Sequence, residues 1–214
     1  MADESGRRVA LITGAGRGLG RTIAIKLAVS GYALALTART FEELEKTRRL
    51  SGLAARDALI ILADLKLDDA PEQIFDTTLD HFGRLDVLIN AAHVNTSDES
   101  FLGLDAEKQD RLLAVNLRAP ITLARMSARH MLKQATLGTI LTFFGFGKAC
   151  DAVSAAVDAG ILAFSQTAMN ALHTGQVTIG AIPFASVDHS AIEEVMKLIC
   201  KPSTDHHDAV ILED

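Results

Sequence analysis

The chain has 214 residues, of which 49% are hydrophobic, and a formal net charge of −6. This length and apolar content suit a single domain with a full hydrophobic core, and the acidic balance disfavours binding to nucleic acid, which requires a cationic surface. Aromatic residues make up only 5% of the chain and tryptophan is absent, so stacking on exposed bases is also disfavoured.

The predicted elements alternate along the chain. Apolar runs predict strands at 8–13, 32–37, 59–62, 86–90, 139–144, 177–182 and 209–212; amphipathic stretches predict helices at 18–30, 41–50, 71–81, 106–133, 154–172 and 191–200. Near-continuous apolar strands between helices predict a parallel sheet covered on both faces. With right-handed crossovers this is a doubly wound α/β fold of about seven strands, one domain over 1–214, that binds ligands at the carboxyl ends of its strands.

A glycine-rich turn follows the first predicted strand and opens the first predicted helix. Its residues Thr13, Gly14, Gly18, Leu19 and Gly20 have the spacing T-G-x-x-x-G-x-G. Gly14 permits a tight turn, Gly18 a close approach of the backbone to phosphates, and Gly20 close helix packing. The unpaired N–H groups at the start of the helix would hold a pyrophosphate, so the turn predicts dinucleotide binding rather than an ordinary flexible turn.

The residues after the second predicted strand indicate which dinucleotide binds. NAD-binding sites place an acidic residue there to bond the ribose 2′-hydroxyl, and this strand ends without one. Arg39 follows the strand instead, and Arg17 lies in the glycine turn, so that two guanidinium groups could clamp a 2′-phosphate. The alternative is a pair of solvated surface arginines. We expect NADP(H) rather than NAD(H).

Three motifs together resemble the short-chain dehydrogenase/reductase family over residues 8–183: the glycine turn, Asp64-Leu65 after the third strand, and the run DVLINAA at 86–92. The resemblance implies that Asp64 contacts adenine, although it could also be a turn residue. It further implies cofactor binding by Leu65, Asn90, Ala91 and Ala92. The family's D-x-L-I-N-N-A-G pattern is not fully kept, because Ala91 replaces the second asparagine and His93 the glycine. The family also links basic residues at the positions of Arg17 and Arg39 with NADP.

The resemblance implies hydride transfer coupled to proton transfer by a tyrosine, a lysine four residues later and a serine. The only tyrosine is Tyr32, in the first βαβ unit, which cannot reach the catalytic position. Alignment of the 154–172 helix with the family places Ser154 and Asp158 at the tyrosine and lysine positions. The serine position falls on Phe144 or Gly145. An anionic Asp158 cannot lower the pKa of a neighbouring acid, so we expect no intact catalytic set.

Some residues near the expected site could retain a role. Asn116 matches the family's helix asparagine, whose carbonyl holds a relay water. Pro120 has no N–H, so we expect a free Asn116 carbonyl and a kinked helix. Because the relay has no lysine, we favour a kink kept for packing. His93 is a candidate acid, although a lone histidine is more often a packing or backbone-bonding residue.

Other features bear on metals, compartment and substrate access. The run 205–208 (DHHD) is interpreted as a solvated turn rather than a metal site, and Cys150 and Cys200 as reduced thiols without metal-ligand spacing.

The polar start of the chain and the absence of a run of 18 apolar residues favour a cytoplasmic protein that does not span a membrane. Residues 184–208 alone separate Pro183 from the last strand, and Pro183-Phe184 replaces the family's P-G turn, so we expect a shortened substrate lid.

Three functions are compatible with these observations. The preferred one is an NADP(H)-binding pseudoenzyme that senses the cofactor or partners other subunits, because general acid–base catalysis contributes about 10²–10⁴ in rate. The second is a carbonyl reductase that uses His93 or Ser154, and the third is a structural partner with an empty nucleotide site. The 154–172 helix carries small residues that permit close helix packing in a homo-oligomer (dimer or tetramer) or with an active relative: Ala155, Ala156, Ala159, Gly160 and Ala163.

Overall fold

The computed structural model of the chain describes residues 6–95, 103–145, 152–172, 175–184, 189–200 and 210–211. Its strands are β1 (Val9–Thr13), β2 (Ala33–Ala38), β3 (Ala58–Leu62), β4 (Val87–Asn90), β5 (Gly138–Phe144), β6 (Val177–Pro183) and β7 (Val210–Ile211). Its α-helices are α1 (Gly18–Val29), α2 (Phe41–Ser51), α3 (Ala70–Phe82), α4 (Ala106–Leu113), α5 (Ala119–Gln134), α6 (Ala152–Leu172) and α7 (His189–Cys200). Apart from the long helix predicted at 106–133, each element lies within two residues of its predicted bounds.

The seven strands form one parallel sheet in the order β3-β2-β1-β4-β5-β6-β7. In its centre, Leu11 of β1 pairs with Ala35 of β2 on one side and with Leu88 of β4 on the other. The strand order therefore reverses at β1 and β4, where a doubly wound fold opens a crevice for a ligand. The predicted single-domain α/β fold is confirmed.

Both faces of the sheet are buried, which explains why the strands read as continuous apolar runs. Along β1, Val9 and Leu11 belong to one core cluster, and Ala10 and Ile12 belong to the other. Side chains of α3, α5 and α6 contribute to the first cluster, and side chains of α1, α2 and α7 contribute to the second. Alternate strand residues thus face two separate helical layers.

The glycine turn packs its backbone directly against neighbouring backbone. A Cβ atom on Gly14, whose φ is +67°, would lie 2.7 Å from both the carbonyl oxygen of Ala91 and the backbone nitrogen of Ala92. A Cβ atom on Gly20 would lie 2.4 Å from the carbonyl oxygen of Gly14. Side chains at either position would force the turn, α1 and the end of β4 apart.

The long helix predicted at 106–133 is interrupted. A π-helical segment (Ala114–Arg118) separates α4 from α5, and the N–H of Ala119 bonds the carbonyl of Ala114, five residues back. Pro120 supplies no N–H to the ladder, as the sequence indicated. The backbone accommodates this proline through a widened turn, so the predicted irregularity is present as a π segment around Asn116.

Tyr32 lies just before β2, at the amino ends of the strands, and it is buried. Its hydroxyl donates to the carbonyl of Ile199 at 3.1 Å, and the Arg8 guanidinium carbon lies 5.1 Å from the ring centroid. Burial raises the pKa of Tyr32 to about 12. This tyrosine therefore fixes the end of α7 and faces away from the carboxyl ends of the strands.

The 21-residue helix α6 packs on β5 and β6 through a single stripe, Val157, Ile161, Ser165 and Met169. By length and composition alone it is also the one helix in the described part of the chain that could cross a membrane, with a mean hydropathy of 1.2, although the sequence has no uninterrupted apolar run of that length. Only 22% of this apolar window is buried. The fold thus leaves most of α6 without a partner.

Candidate nucleotide-binding site

A cavity of about 590 Å³ opens at the carboxyl ends of β1 to β4. Its walls are the glycine turn, the residues that follow β2, β3 and β4, one face of α4 and the π segment, and Phe184. Ten of the twelve predicted cofactor residues line it: Gly14, Arg17, Gly18, Leu19, Gly20, Arg39, Asp64, Leu65, Ala91 and Ala92. The structure thus brings together residues that are up to 78 positions apart in the sequence.

The remaining two predicted residues, Thr13 and Asn90, lie beneath the cavity. The Thr13 hydroxyl oxygen accepts the N–H groups of Ala91 and Ala92, each at 3.2 Å. The Asn90 amide donates to the Thr142 hydroxyl at 3.2 Å. These buried side chains join the ends of β1, β4 and β5, so they hold the cavity floor in place.

The turn is open where phosphates are expected. Gly18 has a φ of +53°, and a Cβ atom there would meet nothing within 4 Å. It is the first residue of α1, whose unpaired backbone N–H groups attract anions. The free space above Gly18 therefore fits a pyrophosphate at the start of the helix.

A hydrogen-bond network from α2 holds this turn in shape. Arg21 donates to the carbonyl of Gly16 and, at 3.0 Å, to the Thr47 hydroxyl. Thr47 in turn donates to the carbonyl of Ala15 at 2.8 Å and is fully buried. Neither Arg21 nor Thr47 was singled out from the sequence, because their role depends on the packing of α1 against α2.

The β2 side of the cavity is cationic. Arg17 and Arg39 are exposed and line it, and within the described residues neither guanidinium takes part in a hydrogen bond or a salt bridge. Glu43 of α2 lines the same side. Its carboxylate lies close to Gly16, 3.0 Å from the position that a Cβ atom on that glycine would occupy. Two free cations and one nearby anion leave net positive charge where β2 ends.

Asp64 follows β3 and lines the cavity, and its Oδ1 accepts the N–H of Lys66 at 3.1 Å. This local bond is the turn role that the sequence left open for Asp64. Asp64 thus both lines the cavity and stabilises the turn after β3.

Three buried polar atoms in or beneath the cavity have no hydrogen-bond partner: Thr37 Oγ1, Asn90 Oδ1 and Arg111 Nε. Leaving a buried polar group without a hydrogen bond costs about 1–3 kcal/mol of stability, so most such groups in folded proteins have a partner. These three atoms, unpartnered within the described residues, lie below the accessible surface, and the open turn is the feature that fits a cofactor carrying phosphates.

The positions aligned with the family's catalytic residues are occupied differently. Asp158 Oδ1 accepts the backbone N–H of Gly145 at 3.1 Å, so the carboxylate ties α6 to the end of β5. Burial raises the pKa of Asp158. Ser154, Asp158 and Gly145 do not line the cavity. The geometry therefore shows a structural contact between two of these positions, Asp158 and Gly145.

His93 lines the cavity and is half-buried. Burial lowers the pKa of His93 to about 4, so its imidazole is neutral at physiological pH and is a poor proton donor. Asn116 does not line the cavity; its side chain accepts the N–H of Val94 at 2.9 Å and donates to the carbonyl of Val94 at 2.8 Å. This pair of bonds pins the π segment to the chain after β4, in keeping with a packing role.

The part of the chain that the structure describes contains no cluster of three or more metal-ligating side chains. The run 205–208 and Cys150 lie outside the described residues. The structure also adds cavity residues that the sequence did not predict, including Thr37, Glu43, Arg111, Val115 and Phe184. Arg111 and Val115 are one helical turn apart, a spacing that could have placed them on one face.

Comparison with known proteins agrees with this arrangement. The chain matches the family model for short chain dehydrogenases over residues 8–197. It belongs to the short-chain dehydrogenase/reductase family. The glycine turn, the strand order and the cavity at the switch point are thus family features, and the structure shows how this sequence builds them.

Individual relatives differ in how much of them the chain covers. The chain is 31% identical over 190 residues to the short-chain reductase protein NovJ of Streptomyces niveus, a match that covers 87% of this chain and 72% of NovJ. It is 34% identical over 136 residues to a short-chain dehydrogenase/reductase of Armillaria gallica, covering 63% of this chain but only 52% of that relative. The solved structure of a metagenomic short-chain oxidoreductase in complex with NADP is similar with a TM-score of 0.85, 28% identity and coverage of 96% of this chain and 95% of the other.

The buried neutral state of His93 makes stability depend on pH. Because the folded pKa is near 4 and the ordinary value is 6.5, the unfolded chain binds a proton first as the pH falls through that window. We expect the free energy of unfolding to fall from pH 7 to pH 5 by about 1 kcal/mol more in the wild type than in His93→Asn, after discounting for partial exposure.

Urea unfolding at both pH values measures this difference, and His81→Asn on the surface of α3 is the control. An equal pH dependence in the wild type and His93→Asn would contradict a buried, neutral His93.

Proposed function

We propose that this short-chain dehydrogenase/reductase is an NADP(H)-binding protein with impaired catalysis, which senses the cofactor or serves as a partner subunit. One contrast carries the proposal. The cavity at the carboxyl ends of the strands retains the cofactor-binding turn, whereas the only tyrosine of the sequence is buried at the amino ends. Cofactor binding and the family's proton transfer are therefore separated in this chain.

The preference for NADP(H) rests on the β2 side of the cavity. Arg17 and Arg39 are free to form charge-assisted hydrogen bonds with a 2′-phosphate, and no acidic residue ends β2 to compete. Glu43 opposes them, so the selectivity depends on two cations outweighing one anion. The structurally similar metagenomic oxidoreductase was solved with NADP, which supports the same choice for this chain.

The remaining predicted residues have distinct proposed tasks. The turn from Gly14 to Gly20 would hold the pyrophosphate, Asp64 and Leu65 the adenine, and Ala91 and Ala92 the central part of the dinucleotide, above Thr13 and Asn90. When bound, NADPH supplies a hydride. The chain's own residues bind and orient the cofactor, and they offer little to the proton transfer that must accompany reduction of a carbonyl.

The alternative is a carbonyl reductase with non-standard residues. The structure offers it weak support, since the neutral imidazole of His93 is the candidate that lines the cavity and Ser154 lies outside it. Asp158 is engaged with the backbone of Gly145. A cofactor held near a carbonyl could still react slowly through proximity alone, so weak activity is compatible with the fold.

The partner role rests on α6. Ala155, Ala156, Ala159 and Ala163 are exposed, so two such helices could approach closely in a twofold assembly, with another copy or with an active relative. Gly160 does not share this face: a Cβ atom there would lie 3.1 Å from Leu117 Cδ1, so Gly160 packs inward against the π segment. The predicted small-residue surface is therefore corrected to the four alanines.

Arg39→Ala tests the cofactor choice. We expect the variant to bind NADPH about tenfold more weakly and NADH with unchanged affinity, because only NADPH offers a 2′-phosphate. Titration followed by cofactor fluorescence gives both affinities, and Arg129→Ala, an exposed residue of α5, is the control. Equal weakening for both cofactors, or none, would contradict a 2′-phosphate clamp.

Ala159→Glu tests the partner surface. A charge in the middle of the exposed face of α6 should convert an oligomer to a monomer, because burying an unpaired carboxylate in an interface costs free energy. Light scattering coupled to gel filtration measures the mass. Leu50→Glu makes a comparable apolar-to-acidic change on α2, where Leu50 is 53% exposed, and should leave the mass unchanged. If the wild type is monomeric, or if Ala159→Glu retains the wild-type mass, self-association through α6 is excluded.

A further inference from the structure

Arg111 is a cavity residue that the family's motifs do not explain. It lies on α4, one helical turn before Val115, and both residues line the cavity. Arg111 is half-buried, and its Nε atom is buried without a hydrogen-bond partner. A planar cation with an unsatisfied donor inside a binding cavity is costly unless a ligand completes it.

Contacts between α4 and the end of β3 show which part of the cavity Arg111 faces. Lys66, which follows Leu65, bonds Glu107 of α4 at 2.8 Å. The carbonyl of Lys66 accepts from Arg118 of the π segment at 2.8 Å. Arg111 lies between Glu107 and Arg118 in the sequence, so its helix runs beside the Asp64-Leu65 corner. The end of β2 that carries Arg39 is the neighbouring strand end, because the N–H of Ala63 bonds the carbonyl of Ala38 at 3.1 Å.

Apolar side chains line the cavity together with Arg111. Leu65 and Val115 are 7% and 6% exposed, and they belong to the same core cluster, with Ala92 and Val94 packed against it. Leu65, Val115 and Ala92 also line the cavity. An aromatic heterocycle can pack its faces against these aliphatic side chains and turn its edge toward the Arg111 guanidinium.

We propose that Arg111 binds the adenine of the dinucleotide, with its guanidinium stacked on the purine or bonded to a ring nitrogen at the mouth of the slot formed by Leu65 and Val115. Guanidinium groups stack well on aromatic faces, and their N–H donors match purine nitrogen acceptors. This contact rests on the proposed binding of NADP(H) and adds a residue to the adenine side of that site.

Arg111→Met and Arg111→Lys test the contact. Methionine keeps the apolar stem of the side chain but loses the guanidinium, and lysine keeps the charge but loses the planar group. We expect both variants to bind NADPH and the fragment 2′,5′-ADP about tenfold more weakly, since stacking on a base contributes on this scale. Binding of nicotinamide mononucleotide, which lacks adenine, should not change. The cofactor-free variants should melt at or above the temperature of the wild type, because the buried Nε of Arg111 makes no hydrogen bond that they would lose.

Calorimetric titration of the three ligands against the wild type, both variants and the control Arg125→Met on the exposed face of α5 separates the outcomes. Full binding by Arg111→Lys would show a contact with a phosphate and overturn the adenine assignment, as would weakened binding of nicotinamide mononucleotide alone. If the wild type binds NADPH and Arg111→Met binds it equally well, this inference fails and the proposed function stands. If the wild type binds no NADPH, the proposed function itself fails.

Discussion

Backbone contact between the glycine turn and the end of β4 is the constraint on which the site depends. Gly14 approaches Ala91 and Ala92 so closely that a Cβ atom would collide, Gly20 approaches Gly14, and Thr13 accepts two N–H groups from the chain after β4. These contacts draw together the two strands at which the sheet order reverses. The crevice above them lies at the start of α1, where we propose that the phosphates of a dinucleotide bind. Arg21 and Thr47 then hold the outer side of the turn against α2.

The residues that could have performed chemistry make structural contacts outside the cavity lining. The tyrosine hydroxyl lies at the opposite end of the strands, where it supports α7, and Asp158 supports the end of β5. Both side-chain groups of Asn116 form hydrogen bonds with the backbone of Val94. Each residue stabilises the fold, and none of the three lines the cavity. The proposed function as a cofactor-binding subunit rests on this division, and the exposed alanines of α6 form the surface proposed for a partner.

Much of this arrangement could be predicted from local sequence. Continuous apolar strands and amphipathic helices predicted the fold, and residues that directly follow a strand predicted ten positions of the cavity lining. Contacts that depend on tertiary packing could not be predicted. The clamp by Arg21 and Thr47, the position of Arg111 over the β3 corner and the inward packing of Gly160 each require the orientation of two helices. The proline at 120 predicted a disturbed helix, but only the backbone shows that it takes the form of a π segment.

We propose that this chain binds NADPH without using it efficiently. The most direct measurement is the rate of NADPH oxidation by the purified protein at saturating cofactor, across a panel of aldehydes and ketones, with cofactor binding measured on the same sample. We predict saturable NADPH binding. NADPH oxidation should be at least about a hundredfold slower than in an enzyme that has a positioned general acid. Rapid oxidation that disappears in His93→Asn or Ser154→Ala would contradict it and would establish an oxidoreductase with a different proton donor.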